Sequence, residues 1–121
     1  MKYKILALLA ILCLGCGESE KKVKSDMDNT PDQVRLMTLD PGHFHAALVQ
    51  KTMYKGVDST IYVFAPKGPE VNDFLNKIES YNTRSENPTH WKVDSYFGPD
   101  YLEKMIAQKP GNVMVVAGKN S

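Results

Sequence analysis

The residues with most chemical potential stand together in Asp40-Pro41-Gly42-His43-Phe44-His45, inside the run MTLDPGHFHAALVQ of residues 37–50. Two histidines flanking a phenylalanine allow three readings: metal ligands, a binding pair, or residues of a turn that receives a phosphate. A metal needs a third ligand. His90 is the other histidine of the chain, and Asp40 or Asp94 offers a carboxylate. His-x-His, however, suits a strand, where alternate side chains share one face. At the start of a helix the two rings should point in different directions. A structural role, with one ring capping or packing in the turn, and a ligand-facing role for at least one ring both remain open.

The phosphate reading rests on the backbone. A helix N-terminus presents unpaired N–H groups and the positive end of a dipole, which suits a pyrophosphate. Laying the dinucleotide fingerprint G-x-G-x-x-G on this stretch with its middle glycine at Gly42 puts Asp40 first and His45 third. Gly42 lets a phosphate approach the main chain. Asp40 brings negative charge to the same place, softened if its side chain turns to cap the helix. His45 replaces the glycine that permits tight helix-to-strand packing. The acidic ribose ligand expected about 20 residues on is absent where the chain reads Phe64-Ala65-Pro66-Lys67. Lys67 can meet a 2′-phosphate there, or it is an exposed loop lysine. Asn120, after Gly118-Lys119, is placed to contact a nicotinamide ribose. The cofactor-facing candidates are therefore Asp40, Pro41, Gly42, His43, Phe44, His45, Lys67 and Asn120. Arg84, His90 and Trp91 read as loop, loop and core residues.

The elements that must hold these residues follow from periodicity. VRLMTL (34–39) is an apolar run stopped by Asp-Pro-Gly, a buried strand. Ala46, Ala47, Val49, Gln50 and Met53 can form a helix that stops near Lys55-Gly56. STIYVFA (59–65) is β-branched and aromatic, a second strand. Pro69 opens a second helix, with Val71, Phe74, Leu75 and Ile78 on one face. A polar loop spans 80–90, a third strand 91–97, a third helix starts after Gly98-Pro99-Asp100, and NVMVVAG (112–118) is a fourth, apolar strand. The order is β-α-β-α-β-α-β, an α/β fold of Rossmann-like half type. It calls for a parallel sheet of about four strands with helices on its faces. Its apolar strands are expected to be buried on both sides, and ligands bind beyond their carboxyl ends.

Composition limits the rest. The 121 residues suit one domain; 42% are hydrophobic, 24% are charged and the net charge is +1, so no basic face calls for nucleic acid. Residues 1–15 combine a basic start with an apolar stretch of about a dozen residues, the pattern of a signal peptide, shorter than the ~20 a membrane span needs. Leu14-Gly15-Cys16 resembles a bacterial lipobox, which implies cleavage before Cys16, lipidation of its thiol, and an exported periplasmic or outer-membrane lipoprotein held to the membrane by that anchor. Cys13 stands where the lipobox usually has leucine. Both cysteines lie in this segment, so the domain beyond it has none for a disulfide. Residues 16–33 have tether composition, and residues 34–121 form the folded domain.

Three blocks, VRLMTLDPGHFHAALVQKTMY, IYVFAPKGPEVNDFLNKIESYNTRSENPTHW and PGNVMVVAGKN, resemble the N-terminal part of exported oxidoreductase-like proteins of Bacteroidetes type, in the glucose-fructose oxidoreductase / inositol dehydrogenase (Gfo/Idh/MocA) superfamily. The resemblance implies an N-terminal NAD(P)-binding domain followed by a larger substrate domain for a sugar or cyclitol. It places Gly42 in the family's first turn and Ala117 to Asn120 at the end of its fourth strand. The outer fingerprint glycines and the acidic ribose ligand are missing. The family's Glu-Lys-Pro segment with its catalytic lysine has no counterpart in these 121 residues. The chain is expected to be a piece without catalysis of its own, its partners a nucleotide cofactor and the remainder of the oxidoreductase. The alternative is a lipid-anchored α/β binding module whose nucleotide site no longer functions.

Overall fold

The computed structural model describes residues 33–119; the stretches read from the sequence as a signal peptide (1–15) and as a tether (16–33, all but its last residue), with Cys16, and Asn120 lie outside the described residues. Chain order is β1 (Val34–Leu39), a 3-10 helix (Phe44–Lys51), β2 (Val57–Ala65), α1 (Pro69–Thr83), β3 (Lys92–Phe97), α2 (Tyr101–Gln108) and β4 (Val113–Val116). The strands form one sheet in the order β3-β2-β1-β4, every pair parallel. This is the Rossmann-like half expected from the alternation. The chain steps outward from β1 through β3, then crosses back to lay β4 on the free side of β1. The order reverses between β1 and β4, and the crevice for a ligand lies beyond their carboxyl ends. Leu39 is level with Phe64 on one side and Val116 on the other, so the loops after β1, β2 and β4 emerge together.

One face of the sheet carries the core. Leu36, Ile61, Val63 and Ala65 meet Ala46 and Ala47 of the 3-10 helix and Val71, Phe74 and Ile78 of α1. The helical face expected from the 71, 74, 78 spacing is thus the buried one, with Leu75 half-buried. The large fully buried side chains among them, such as Ile61, Phe74 and Ile78, each contribute about 1.5–3 kcal/mol by leaving water. Trp91 closes the bottom of this core, and its indole N–H donates to the Gln50 carbonyl at 2.8 Å.

The other face is covered on one side only. α2 packs on β2 and β3 and buries Met105. On β4, Met114 is 47% and Val116 62% exposed, and Leu102 and Ile106 of α2 are exposed as well. The expectation that β4 is buried on both sides is therefore not met within the described residues. Its apolar sequence fits a position covered on both faces, whereas α2 packs on β2 and β3.

Three local expectations change. The first helix is 3-10 rather than α, and it stops at Lys51 before an extended Thr52. Carbonyls near its end are drawn elsewhere: Trp91 takes that of Gln50 and the Arg84 guanidinium takes that of Lys51. At about 2.0 Å per residue a 3-10 helix spans the crossover with fewer residues than an α-helix at about 1.5 Å. Gly56, at φ +80, serves instead as the turn into β2. α1 runs to Thr83, so the polar loop begins at Arg84 rather than residue 80. Asn82 in that last turn accepts from the Thr89 hydroxyl and the Trp91 amide, which ties the helix end to the loop. β4 is four residues long, shorter than the apolar run suggested.

Candidate functional site

The turn after β1 is built by hydrogen bonds to its own chain. Asp40 continues the ladder by donating to the Phe64 carbonyl at 2.9 Å, then takes a left-handed conformation, φ 43, which aspartate tolerates better than most residues. Pro41 carries no N–H. The Gly42 N–H returns to the Asp40 carbonyl at 2.7 Å, the His43 N–H goes to the Ala117 carbonyl at 2.8 Å, and the Ala46 N–H goes to the His43 carbonyl at 2.9 Å. His43 is the helix cap: its Nδ1 accepts the His45 N–H at 3.3 Å. The capping role considered for Asp40 therefore belongs to His43. Among the described residues this leaves the Phe44 N–H as the turn amide without a hydrogen bond.

Gly42 is a glycine for a reason the sequence did not show. A Cβ built on it would lie 2.8 Å from the Lys119 nitrogen and 3.1 Å from the Lys119 Cβ. The close approach that Gly42 permits is made by the segment after β4. In this closed arrangement the turn amides other than that of Phe44 are engaged and Lys119 lies over Gly42, so a pyrophosphate could enter only after the segment following β4 has moved.

Two hollows flank Gly42. One, about 180 Å³, is lined by Asp40, Gly42, Lys67, Glu70 and Lys119 among others. The second, about 230 Å³, lies between the turn and α1 and is lined by His43, Phe44, Glu70, Asp73 and Phe74. Lys67 is exposed and enters the first hollow, as a phosphate ligand after β2 would. Glu70 lines both hollows from the first turn of α1. It supplies a carboxylate to the region where the sequence offered none at the end of β2. Only the helix geometry reveals this, because Glu70 sits five residues beyond the strand. Its partner is Lys119, with Nζ 4.0 Å from Oε1, while Asp73 pairs with Lys77 one turn along the same helix.

The three rings of the motif cluster, with the two histidines stacked and Phe44 tilted against both. His43 and His45 are 4.4 Å apart and nearly parallel, and the Phe44 ring is 4.5 Å from one and 3.9 Å from the other. The expected divergence of the histidines fails because His43 lies before the helix in extended conformation, which folds its ring back over residue 45. No group of three His, Cys, Asp or Glu assembles among the described residues; His90 is exposed in the loop before β3. Arg84 is engaged by the carbonyls of Lys51 and Asn87, as a loop-pinning residue.

At the carboxyl end of β3 the Tyr96 hydroxyl donates to Asp100 Oδ1 at 2.5 Å. That bond, then partial burial and the carboxylate's charge, raises the pKa of Tyr96; the same bond outweighs burial and lowers that of Asp100. Lys104 lies 5.5 Å from the Tyr96 ring. The group stiffens the turn into α2.

This arrangement has a close counterpart. The chain is 57% identical to a putative oxidoreductase from Parabacteroides merdae known from a crystal structure, with a TM-score of 0.72. The likeness covers 74% of this chain and 20% of that one. The chain thus spans about a fifth of the neighbour's length. No protein-family model matches the sequence, nor does any curated protein.

Proposed function

We propose that this chain is the N-terminal, cofactor-facing half of an exported Gfo/Idh/MocA-like oxidoreductase, anchored through a lipid on Cys16 and inactive in hydride transfer by itself. The observation that carries the reading is the place where the loops after β1, β2 and β4 converge: the β1–β4 switch point of a parallel sheet, in a chain so similar to an oxidoreductase-type protein. Gly42, the Phe44 N–H, Lys67 and Lys119 are the groups that would hold the phosphates of NAD or NADP once the segment after β4 has moved off Gly42. A bound nicotinamide cofactor supplies hydride chemistry; these residues bind and orient it. The hydroxyl-polarising lysine and the sugar-binding domain come from the remainder of the protein, which also covers the apolar face over β4.

The experiment is calorimetric titration of the full chain with NAD(H) and NADP(H). Saturable heat with either nucleotide, lost or weakened in Lys67→Ala, supports the reading. Absence of heat with both refutes it in favour of a second one, a lipid-anchored binding module whose nucleotide turn no longer functions. The engaged amides of Gly42, His43, His45 and Ala46 are the observation that favours the second.

A further inference from the structure

The crevice closes by charge as well as by packing. Its cations are Lys67 and Lys119, and its carboxylates are Asp40 and Glu70. With most turn amides spent, an anion entering here depends on the two lysines. One of them, Lys119, already faces Glu70 at 4.0 Å, and its main chain rests on Gly42. Resting on the nucleotide-crevice reading, we infer that Glu70 is a charge gate: it holds Lys119 across the mouth of the crevice and opposes phosphate-bearing ligands until that pair is given up. The residue acts on specificity by competing with the ligand for the same cation. Asp73 adds little to this competition, because Lys77 neutralises it locally.

The physical consequence separates a phosphate-bearing ligand from a neutral one. Removing the Glu70 charge deletes a repulsion toward the diphosphate and releases Lys119 to it, and both effects are screened by salt. Adenosine, which has no phosphate, gains from neither. A carboxylate that instead accepted ribose hydroxyls would help both ligands equally, so its loss would weaken both.

The test is calorimetry on the full chain with ADP-ribose and with adenosine, for the wild type, Glu70→Gln, Lys119→Gln and the double variant. Far-ultraviolet circular dichroism establishes that each is folded; Glu70→Ser is the second neutral variant. The expected result is about three- to tenfold tighter ADP-ribose binding by Glu70→Gln at low salt, shrinking as salt rises, with adenosine unchanged. Relative to Lys119→Gln, the double variant should gain less than Glu70→Gln gains over the wild type, because only the repulsion is left to remove; an equal gain overturns the competition for Lys119. Equal or weaker ADP-ribose binding by Glu70→Gln, when the wild type binds it, overturns the gate and leaves the crevice reading standing. Parallel loss for both ligands makes Glu70 a ribose acceptor instead. No ADP-ribose binding by any of the four proteins overturns the gate and the nucleotide reading together.

Discussion

Gly42→Ala tests whether packing, rather than ligand access, holds the glycine in place. The new Cβ would meet the Lys119 nitrogen at 2.8 Å and Cβ at 3.1 Å, so the segment after β4 must shift. Overpacking of this kind costs about 1–3 kcal/mol. The shift also strains the 2.8 Å bond from the His43 N–H to the Ala117 carbonyl, worth about 0.5–1.5 kcal/mol. Gly42 does not have positive φ, so alanine adds no backbone strain. It also returns about 0.4–1 kcal/mol by restricting the unfolded chain. The net expectation is a loss of about 1–3 kcal/mol. With a urea slope of about 1 kcal/mol per M, the low end for small proteins, that is a midpoint lower by roughly 1–3 M. Urea titration followed by circular dichroism and by the fluorescence of Trp91, the one tryptophan in the chain, measures it. Lys119→Gly in the same background should recover only part of the loss, since it removes the Cβ contact and leaves the nitrogen. An unchanged midpoint for Gly42→Ala would refute the packing explanation and show that the segment after β4 moves off the turn at little cost.

Trp91→Phe removes the donor to the buried Gln50 carbonyl and should cost about 1–3 kcal/mol, read as a lower thermal midpoint by circular dichroism. Tyr96→Phe should flatten the acid limb of the stability profile. Asp100 has a lowered folded-state pKa, so its contribution is present above the unfolded carboxylate value and is lost as pH falls through the lower folded value. The raised Tyr96 pKa acts oppositely: its contribution is full below the unfolded tyrosine value, near 10.0, and is lost above it. Melting curves from pH 2 to 5 and from pH 9 to 11 would show both changes. Val116→Lys places a charge on the most exposed residue of β4 and should reduce self-association of the isolated chain, measured by light scattering, with little change in the thermal midpoint.

Local patterns made much of the fold legible. Val34–Leu39 announced its own limits through Asp-Pro-Gly, and the 71, 74, 78 spacing gave the buried face of α1. The parallel sheet followed from the alternation of strands and helices, whereas the return of β4 to the side of β1 is seen only in the structure. What stayed hidden depended on partners distant in sequence. The stop of the 3-10 helix at Lys51 goes with the carbonyls of Gln50 and Lys51 being taken by Trp91 and Arg84. The choice of glycine at 42 depends on residue 119. Glu70 escaped because a ribose carboxylate was sought at the strand end, whereas the first turn of α1 carries this one into the crevice. The turn itself was located correctly by sequence, but the engagement of its amides is a tertiary fact.

The position of β1 has a consequence for how the domain forms. It is an interior strand, yet its two neighbours come from very different distances along the chain. β2 follows within one short crossover, while the contact from Arg35 to Asn112 spans 77 residues. Loop closure and contact order both make that second pairing the slower one. During synthesis at about 5–20 residues per second, β1 should spend several seconds paired on one side only. Residues near Asn112 then act as the clasp: its side chain accepts from the Arg35 amide and donates to the Gln33 carbonyl, fixing β4 in register where β1 begins. Assembly from an inner parallel strand-helix-strand unit outward, with β4 arriving last, places the crevice beyond β1 and β4 among the final features to appear.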